Sequence, residues 1–464
     1  MTSLKKTMFR EYDIRGRESE DELNESSVYS IARGFAKILH ENGVTDAILA
    51  RDARGTSESF KKSALRGLVE SGVNVIDIGV VTTPMSYWAQ HHFNVKGLCT
   101  ITASHNPVGW NGLKLGVGLS KTLLTEEIQR LYQIIETEDY KDGMGSVRTE
   151  DISELYMSDL LSRVVIAKKF KVLVNTGNGT AGLYAPEILR KAGCEVIERY
   201  TNLDPTYPNY TPNPDGLAMM DDTGTQVIAN KCDIGMAFDG DGDRLGITDE
   251  KGQVIWPDRY MILLSRHVLA KKPGAKIVFD VKVSEALPED IASHGGVPIM
   301  CKTGHSYIKA KLNEENAALA GEMSGHIFFS ENFYGFDDAF FASLKILEYL
   351  SLQTRKLSEL IADTPYYVST PTIQVNTTDE EKYHIVDELT RQFKGEGYRV
   401  VDINGARVYM ENGWGLVRAS SNTPTLVLRF EAKTRESLEK IQSIFKTKLN
   451  AFESVRKEWD TSGH

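Results

Sequence analysis

A chain of 464 residues is too long for a single hydrophobic core, and its length suggests about three or four domains. Its 41% apolar and 25% charged residues are those of a globular protein; no apolar run approaches the ~18 residues of a membrane span, and the start at Met1 lacks the apolar stretch of a secretory signal. A net charge of −10 excludes a broad basic face for nucleic acid, and four scattered cysteines (Cys99, Cys194, Cys232, Cys301) with no CxxC pair read as reduced thiols of a cytoplasmic protein.

The predicted elements open with a strand over 47–52, a polar loop, a helix over 57–70 and a second strand over 71–78. An apolar run at 97–101 then ends in Thr102-Ala-Ser-His-Asn-Pro107. A serine at a strand end, before a proline-terminated turn, is placed to be a nucleophile, although the same pattern also makes a simple Ser/Thr turn. The segment is not the G-x-S-x-G of an acyl hydrolase. Neither is Gly321-Glu-Met-Ser-Gly325, where the serine falls one place late. In an extended segment His105 would point away from Ser104, which makes it a poor base for that hydroxyl.

The strand–loop–helix–strand order returns at 171–175, 183–191 and 192–197, and again at 276–280, 284–293 and 295–300. Strands alternating with helices predict parallel sheets built from βαβ units, here as three related domains over 1–150, 151–251 and 252–368. Gly177-Asn-Gly-Thr-Ala-Gly182 is a complete G-x-G-x-x-G, with Glu198 about 20 residues further on. By itself this loop would fit a nicotinamide-dependent dehydrogenase. The equivalent junctions of the other two repeats carry Asp and Lys instead, so close packing of helix on strand is the preferred reading.

Asp239-Gly-Asp-Gly-Asp-Arg244 follows the strand-like 234–238. Three carboxylates at alternate positions of a tight loop converge only if something offsets their repulsion, as a hard divalent cation does, although the same pattern also makes a solvated acidic turn. Arg244 beside them suits phosphate. An EF-hand is excluded because Arg244 stands at the sixth place where glycine is required, although Glu250 fits the twelfth. Lys302-Thr-Gly-His305 and Gly321–His326 each end an apolar run, which predicts polar loops exposed at a domain edge. The tail reads as a strand at 372–376, a helix at 379–394, strands at 399–403, 406–410, 415–418 and 425–430, and a helix at 435–449. Such grouping predicts a fourth, α+β domain over 369–464. Its Arg418-Ala-Ser-Ser-Asn-Thr-Pro424 combines a guanidinium, hydroxyls and turn amides, a plausible phosphate cup whose one charge is Arg418.

Five segments stand in order: Phe9-Arg-Glu-Tyr-Asp-Ile-Arg-Gly16, then TASHNP at 102–107, DGDGDR at 239–244, GEMSGH at 321–326 and RASSNTP at 418–424. In this the chain resembles the α-D-phosphohexomutase family, most closely its phosphomannomutase/phosphoglucomutase branch. The resemblance implies an α/β fold of three related mixed or parallel-sheet domains plus a C-terminal α+β domain around a central cleft. It implies that Ser104 carries the phosphoryl group and joins Asp239, Asp241 and Asp243 in holding Mg²⁺. Lys114 and His305 match residues near the reacting oxygens, and Arg15, Arg244 and Lys282 match residues lining the site. Tyr12, Glu322, Ser324 and His326 are expected to meet the sugar. Arg418, Ser420, Ser421, Asn422 and Thr423 match the phosphate loop, with one departure: Asn422 stands where a threonine is commoner. The implied reaction exchanges hexose 1-phosphate and hexose 6-phosphate through hexose 1,6-bisphosphate, which is also the activator. Sugar phosphates are the expected partners, with neither nucleic acid nor membrane. GEMSG rather than a GEQSG-like loop favours glucose and mannose over glucosamine phosphate, which leaves phosphoglucosamine mutase as the alternative. A non-catalytic sugar-phosphate sensor would not need both the serine and the acidic triad.

Overall fold

The computed structural model describes residues 4–420 and 423–459. These form two compact units. One comprises the chain up to Pro214, Ala218–Val254 and Gly325–Leu357; the other comprises Asp215–Leu217, Ile255–Ser324 and the chain from Ser358 onward.

The first unit is built on two sheets. Across the larger one the strands lie in the order Ile14–Arg17, Trp110–Val117, Gly97–Ile101, Asp46–Arg51, Asn74–Val80, Val147–Thr149. The last four are parallel, whereas Trp110–Val117 runs against both of its neighbours. Helix Glu25–Glu41 covers this sheet because Val28, Ile31, Ala32, Phe35, Ile38 and Leu39 recur at three- and four-residue spacing and are all buried. Asn24 starts it with a capping box, accepting from the Ser27 amide while the Ser27 hydroxyl takes the Asn24 amide. In the second sheet Lys171–Asn175 lies between parallel Glu195–Arg199 and Ile234–Phe238, and Leu245–Thr248 returns antiparallel.

In the second unit the parallel strands Val297–Cys301, Lys276–Asp280 and Leu319–Gly321 lie side by side. The tail forms an antiparallel sheet, Val368–Ser369, Thr425–Ala432, Gly413–Ala419, Ala406–Met410, Arg399–Val401, with Ile373–Asn376 also on Thr425–Ala432. Its core gathers Ile385, Leu389 and Phe393 of helix Lys382–Gly395 with Ile441 and Phe445 of helix Arg435–Leu449. Arg407 is 0% exposed and joins the two sheets, donating to the Val281 and Val283 carbonyls at 2.8 Å each. Its guanidinium stacks 3.7 Å over Trp414.

The three repeats share one strand order. The first strand of each is central, with the second strand on one side and the third on the other: 46–51 between 74–80 and 97–101, 171–175 between 195–199 and 234–238, 276–280 between 297–301 and 319–321. TASHNP, DGDGDR and GEMSGH each follow the third strand of a repeat. They therefore hold equivalent places at the carboxyl ends of parallel strands, where open α/β sheets bind ligands. No helix among the described residues is long and apolar enough to cross a membrane.

Candidate active site

In the first unit, strand Gly97–Ile101 delivers Ser104 into a tight turn rather than the extended segment expected from sequence. Ser104 has φ +51°, a left-handed conformation that costs a non-glycine residue of order 1 kcal/mol or more. Its amide donates to Thr102 Oγ1 at 2.9 Å, and Asn106 N closes the turn on the Ala103 carbonyl at 2.9 Å. The turn also corrects the expectation for His105. Instead of facing away, its Nδ1 lies 3.1 Å from Ser104 Oγ. Burial, then the nearby Arg244 and Arg15, holds this imidazole well below its usual pKa, hence neutral.

The Ser104 hydroxyl donates to Asp239 Oδ2 at 2.7 Å. Asp239 opens the hairpin loop between antiparallel strands Ile234–Phe238 and Leu245–Thr248, and its Oδ1 accepts from the amides of Asp243 (3.0 Å) and Arg244 (3.1 Å). That Asx-type closure gathers Asp239, Asp241 and Asp243, all 0% exposed, with one oxygen of each within 4.8 Å of the others. Gly240 lets the serine turn come this close, since a Cβ there would lie 2.4 Å from the Ser104 carbonyl. Lys114, on Trp110–Val117, pairs with Asp241 Oδ2 at 2.8 Å and with Asp243. Burial opposes the Lys114 charge, but Asp241 and Asp243 outweigh it and hold the amine well above its usual pKa. Burial likewise works to raise Asp241, yet Lys114 and hydrogen bonds from Asp239, Lys114 and Thr83 hold it well below the carboxylate range. For Asp239 the nearby Arg244 charge is outweighed: burial and repulsion from Asp243 and Asp241 push it well above. Oδ1 of Asp241 and Oδ1 of Asp243 are buried with no hydrogen-bond partner among the described residues. Crowded, buried carboxylates with unused oxygens are the donor set a hard divalent cation takes.

Arg15 donates to Asp13 at 2.8 Å and to the Thr102 carbonyl at 3.1 Å, which ties the first motif to the serine turn. Tyr12 is half-buried in the bend just before that strand. Arg244 Nε donates to His326 Nε2 at 3.1 Å, and the other ring nitrogen lies 2.9 Å from Asp337 Oδ2. His326 was expected beside Glu322 and Ser324. Its backbone instead bridges antiparallel to Arg244, so the ring is 3% exposed behind that guanidinium, 3.6 Å from Asp243. The dinucleotide reading of 177–182 fails as well. The second half of the loop is a 3₁₀ turn, Thr180–Leu183, and a Cβ on Gly179 or Gly182 would lie 2.9 Å from Gly240 Cα or 2.1 Å from the Thr201 carbonyl. These glycines serve packing. Glu198, the supposed ribose ligand, binds Arg190 and Thr201.

In the second unit the loops after the parallel strands converge on two carboxylates. Asp280 accepts from Thr303 Oγ1 at 2.9 Å and from Met323 N at 3.2 Å, with Lys282 Nζ 3.7 Å away. Glu322 accepts from the Gly304 amide and from Ser324 Oγ at 3.2 Å, which fastens the 302–305 loop to the 321–324 loop. Contrary to expectation these are not exposed loops: Glu322 is 2% exposed and His305, opening helix His305–Glu315, is 6% exposed. Arg418 ends strand Gly413–Ala419, its Nε buried and without a hydrogen-bond partner among the described residues. Ser420 and Thr423 share a hydroxyl contact at 2.9 Å, while Ser421 and Asn422 lie outside the described residues. The loop is less neutral than expected. Lys382, from helix Lys382–Gly395, donates to the Ser420 carbonyl at 2.7 Å and the Thr423 carbonyl at 3.1 Å.

Sequence reasoning missed Arg54, Asp337 and Lys382, and Arg54 and Lys382 act across a long sequence separation. The Asp337-Asp338 pair before an apolar helix was the available signal for one of them.

Comparison with known proteins agrees with this geometry. The family described as phosphoglucomutase/phosphomannomutase is matched by its alpha/beta/alpha domain I at residues 6–142, domain II at 154–252 and domain III at 256–367, and by its C-terminal domain at 373–448. A phosphomannomutase/phosphoglucomutase of Pseudomonas aeruginosa is 41% identical over 453 residues, covering 97% of each chain. A phosphoglucomutase of Neisseria gonorrhoeae is 38% identical over 455 residues, covering 97% of this chain and 98% of that one. The crystal structure of a phosphoglucomutase/phosphomannomutase family protein from Burkholderia thailandensis superposes with a TM-score of 0.91 at 36% identity, covering 97% of this chain and 98% of that one. With four domains matched in order and such identity held along nearly its whole length, the chain belongs to the phosphoglucomutase/phosphomannomutase family.

Proposed function

We propose that the chain is a phosphohexomutase that interconverts the 1- and 6-phosphates of glucose and mannose through a phosphoserine at Ser104. The observation that carries this reading is the Ser104 hydroxyl, held in a strained turn 2.7 Å from the first carboxylate of a buried acidic triad. Asp239, Asp241 and Asp243 would hold Mg²⁺, which when bound supplies charge neutralisation on the phosphoryl group. The protein's own groups do the rest. Arg244 and Arg15 bring fixed positive charge to the serine turn, where both act on His105. Lys114, held protonated, adds charge rather than taking a proton. The proton of the attacking sugar hydroxyl then falls to an imidazole, a role the family resemblance gives to His305. As the hydroxyl oxygen bonds to phosphorus, the bond to Ser104 Oγ breaks. The bisphosphate formed returns its other phosphoryl to Ser104.

Glu322 and Ser324 are assigned to sugar hydroxyls, Lys282 and Tyr12 to substrate, and Arg418 with its loop to the phosphate that is not reacting. Hexose 1,6-bisphosphate is the activator in this scheme because it rephosphorylates Ser104. The four cysteines are all unpaired and buried, which supports a reducing, cytosolic setting.

Intact-mass and peptide analysis should find phosphate on Ser104 after incubation with glucose 1,6-bisphosphate, and Ser104→Ala should lose nearly all turnover while staying folded. Assays of glucose, mannose and glucosamine 1-phosphates rank the sugars. Full turnover by the alanine variant would end this reading, and a clear preference for glucosamine phosphate would correct its sugar.

A further inference from the structure

Arg54 has no place in the mechanism above, yet its buried guanidinium donates four hydrogen bonds to the backbone around Ser104. Its loop follows the central strand of the first repeat, Asp46–Arg51, and the side chain is 3% exposed. Its two terminal nitrogens reach four backbone carbonyls of the serine loop. Nη2 donates to Ser104 (2.7 Å) and Asn106 (2.6 Å), and Nη1 donates to Pro107 (3.0 Å) and Trp110 (3.1 Å). The guanidinium plane is fixed from two other directions. Asp52 lies 3.3 Å from Nε, and the Tyr207 ring lies 5.3 Å from Cζ. Asp52 is itself tied down by the Arg54 amide and the Ser57 hydroxyl, and the Ala53 amide donates to Thr180 Oγ1 at 3.0 Å.

This arrangement is more than a satisfied buried charge. A left-handed serine turns its carbonyl out of any strand or helix ladder, so that carbonyl needs another donor. The Ser104 carbonyl gets it from Arg54 on one side and passes over Gly240 of the acidic loop on the other, where a Cβ would be 2.4 Å away. One rigid fork thus sets the φ of Ser104, the spacing between the serine turn and the triad, and the path of the chain to Trp110, the start of the strand carrying Lys114. Four coplanar donors on two nitrogens at fixed spacing are a property of guanidinium. An ammonium carries its three donors on one nitrogen and cannot span the four carbonyls.

We propose that Arg54 is a positioning residue for phosphoryl transfer: it clamps the serine loop so that Ser104 Oγ is aimed at the acidic triad, without itself touching substrate. The inference rests on the phosphoserine reading, and the test separates the two. Wild type, Arg54→Lys and Arg54→Ala are compared for Ser104 phosphorylation by glucose 1,6-bisphosphate, kcat, KM and thermal midpoint. Arg54→Lys should keep its fold and its KM for glucose 1-phosphate while kcat drops about a hundredfold, the order of loss for a nucleophile misplaced by ~1 Å. Arg54→Ala should recover part of its kcat on addition of guanidinium at non-denaturing concentration, and none on addition of ammonium. Absence of phosphate on wild-type Ser104 would end both readings. If wild type is phosphorylated but Arg54→Lys keeps wild-type kcat, the clamp alone is wrong. The clamp also falls if kcat declines only in step with the folded fraction, or if ammonium rescues as well as guanidinium.

Discussion

Arg244, which the proposed mechanism brings to the phosphoryl group, has its direction set from behind. A guanidinium only donates, so the His326 Nε2 that it contacts at 3.1 Å must be the unprotonated nitrogen. The ring proton is then on Nδ1, which faces Asp337 Oδ2 at 2.9 Å, and Asp337 is 0% exposed. The charge of Asp337 beside Nδ1 favours this tautomer of His326, and His326 meets Arg244 from behind. Asp337→Asn keeps the shape but can present an amide N–H to Nδ1, which would push the ring to the wrong tautomer and cut Arg244 loose. Losing a hydrogen bond to a charged group is worth roughly 1.5–3 kcal/mol, so kcat should fall about ten- to a hundredfold. KM for glucose 1-phosphate should move much less, because the contact strengthens with charge on the transferring group. Steady-state kinetics checks this, and an unchanged kcat would show that Arg244 needs no support. The pairing of Asp337 with His326 and of His326 with Arg244 was not legible in the sequence, although Arg244 and His326 each stood in a motif. Ser104 and the triad announced themselves through short motifs at strand ends, but Arg54 meets Ser104 across 50 positions and Lys382 meets Ser420 across 38. Composition says nothing about such pairings.

At the scale of elements, helix Ala339–Ser351 shows both why part of the fold stayed hidden and how pH bears on stability. All of its residues are buried, so it has no polar face and no periodicity to read. Helix Thr83–Phe93, buried from Thr83 through Gln90, escaped for the same reason. Antiparallel strand Trp110–Val117 lay outside the repeat pattern. The elements that were legible were those with a flanking glycine or polar loop, and helix Ser57–Glu70 and strands Gly97–Ile101, Lys171–Asn175 and Lys276–Asp280 fall where the pattern put them. Asp338 caps the hidden helix, accepting from the Phe340 and Phe341 amides at 2.9 Å each, and Tyr156 donates its hydroxyl at 2.8 Å. Burial outweighs these bonds and pushes the carboxyl up to about 7. The unfolded value is near 3.9, so between about pH 4 and 7 the native state binds the extra proton. This group's contribution is therefore fully present below about pH 4 and is lost as pH rises through 7. Asp338→Asn keeps an oxygen for the cap and removes the titration. Its denaturation midpoint, followed from pH 4 to 8, should fall less steeply than that of wild type and meet or exceed it at pH 8. Parallel curves for the two proteins would rule this out.

At the scale of the whole molecule, a chain of net charge −10 has to bind dianions, and does so only where cations are gathered locally. The first unit collects Lys114, Arg15 and Arg244 at the triad, and the proposed mechanism uses them for the phosphate being transferred. A mutase differs from a phosphatase in handling a second phosphate, which must be held while the first reacts, in both halves of the cycle. Among the described residues Arg418 has the features of that holder: a buried Nε with no hydrogen-bond partner, at the mouth of a loop whose Ser420 and Thr423 hydroxyls are already engaged with each other. Lys382 contributes charge from beneath, but its ammonium is committed to Asp379 at 2.7 Å and to two loop carbonyls. In the proposed cycle a bidentate guanidinium–phosphate contact would supply most of the attraction at this loop, and removing it should cost roughly 1.5–3 kcal/mol. Arg418→Ala should raise KM about ten- to a hundredfold for both glucose 1-phosphate and glucose 1,6-bisphosphate, and Arg418→Lys should recover little of the loss because a point charge does not reproduce the fork. Hydrolysis of phosphorylated Ser104 by water needs no second phosphate, so its rate should hardly change in either variant. Measuring the two rates on one preparation separates a lost anion site from a damaged serine. If both KM values stay at the wild-type level, Arg418 does not hold the second phosphate, and the loop at 418–424 has no part in the mutase cycle.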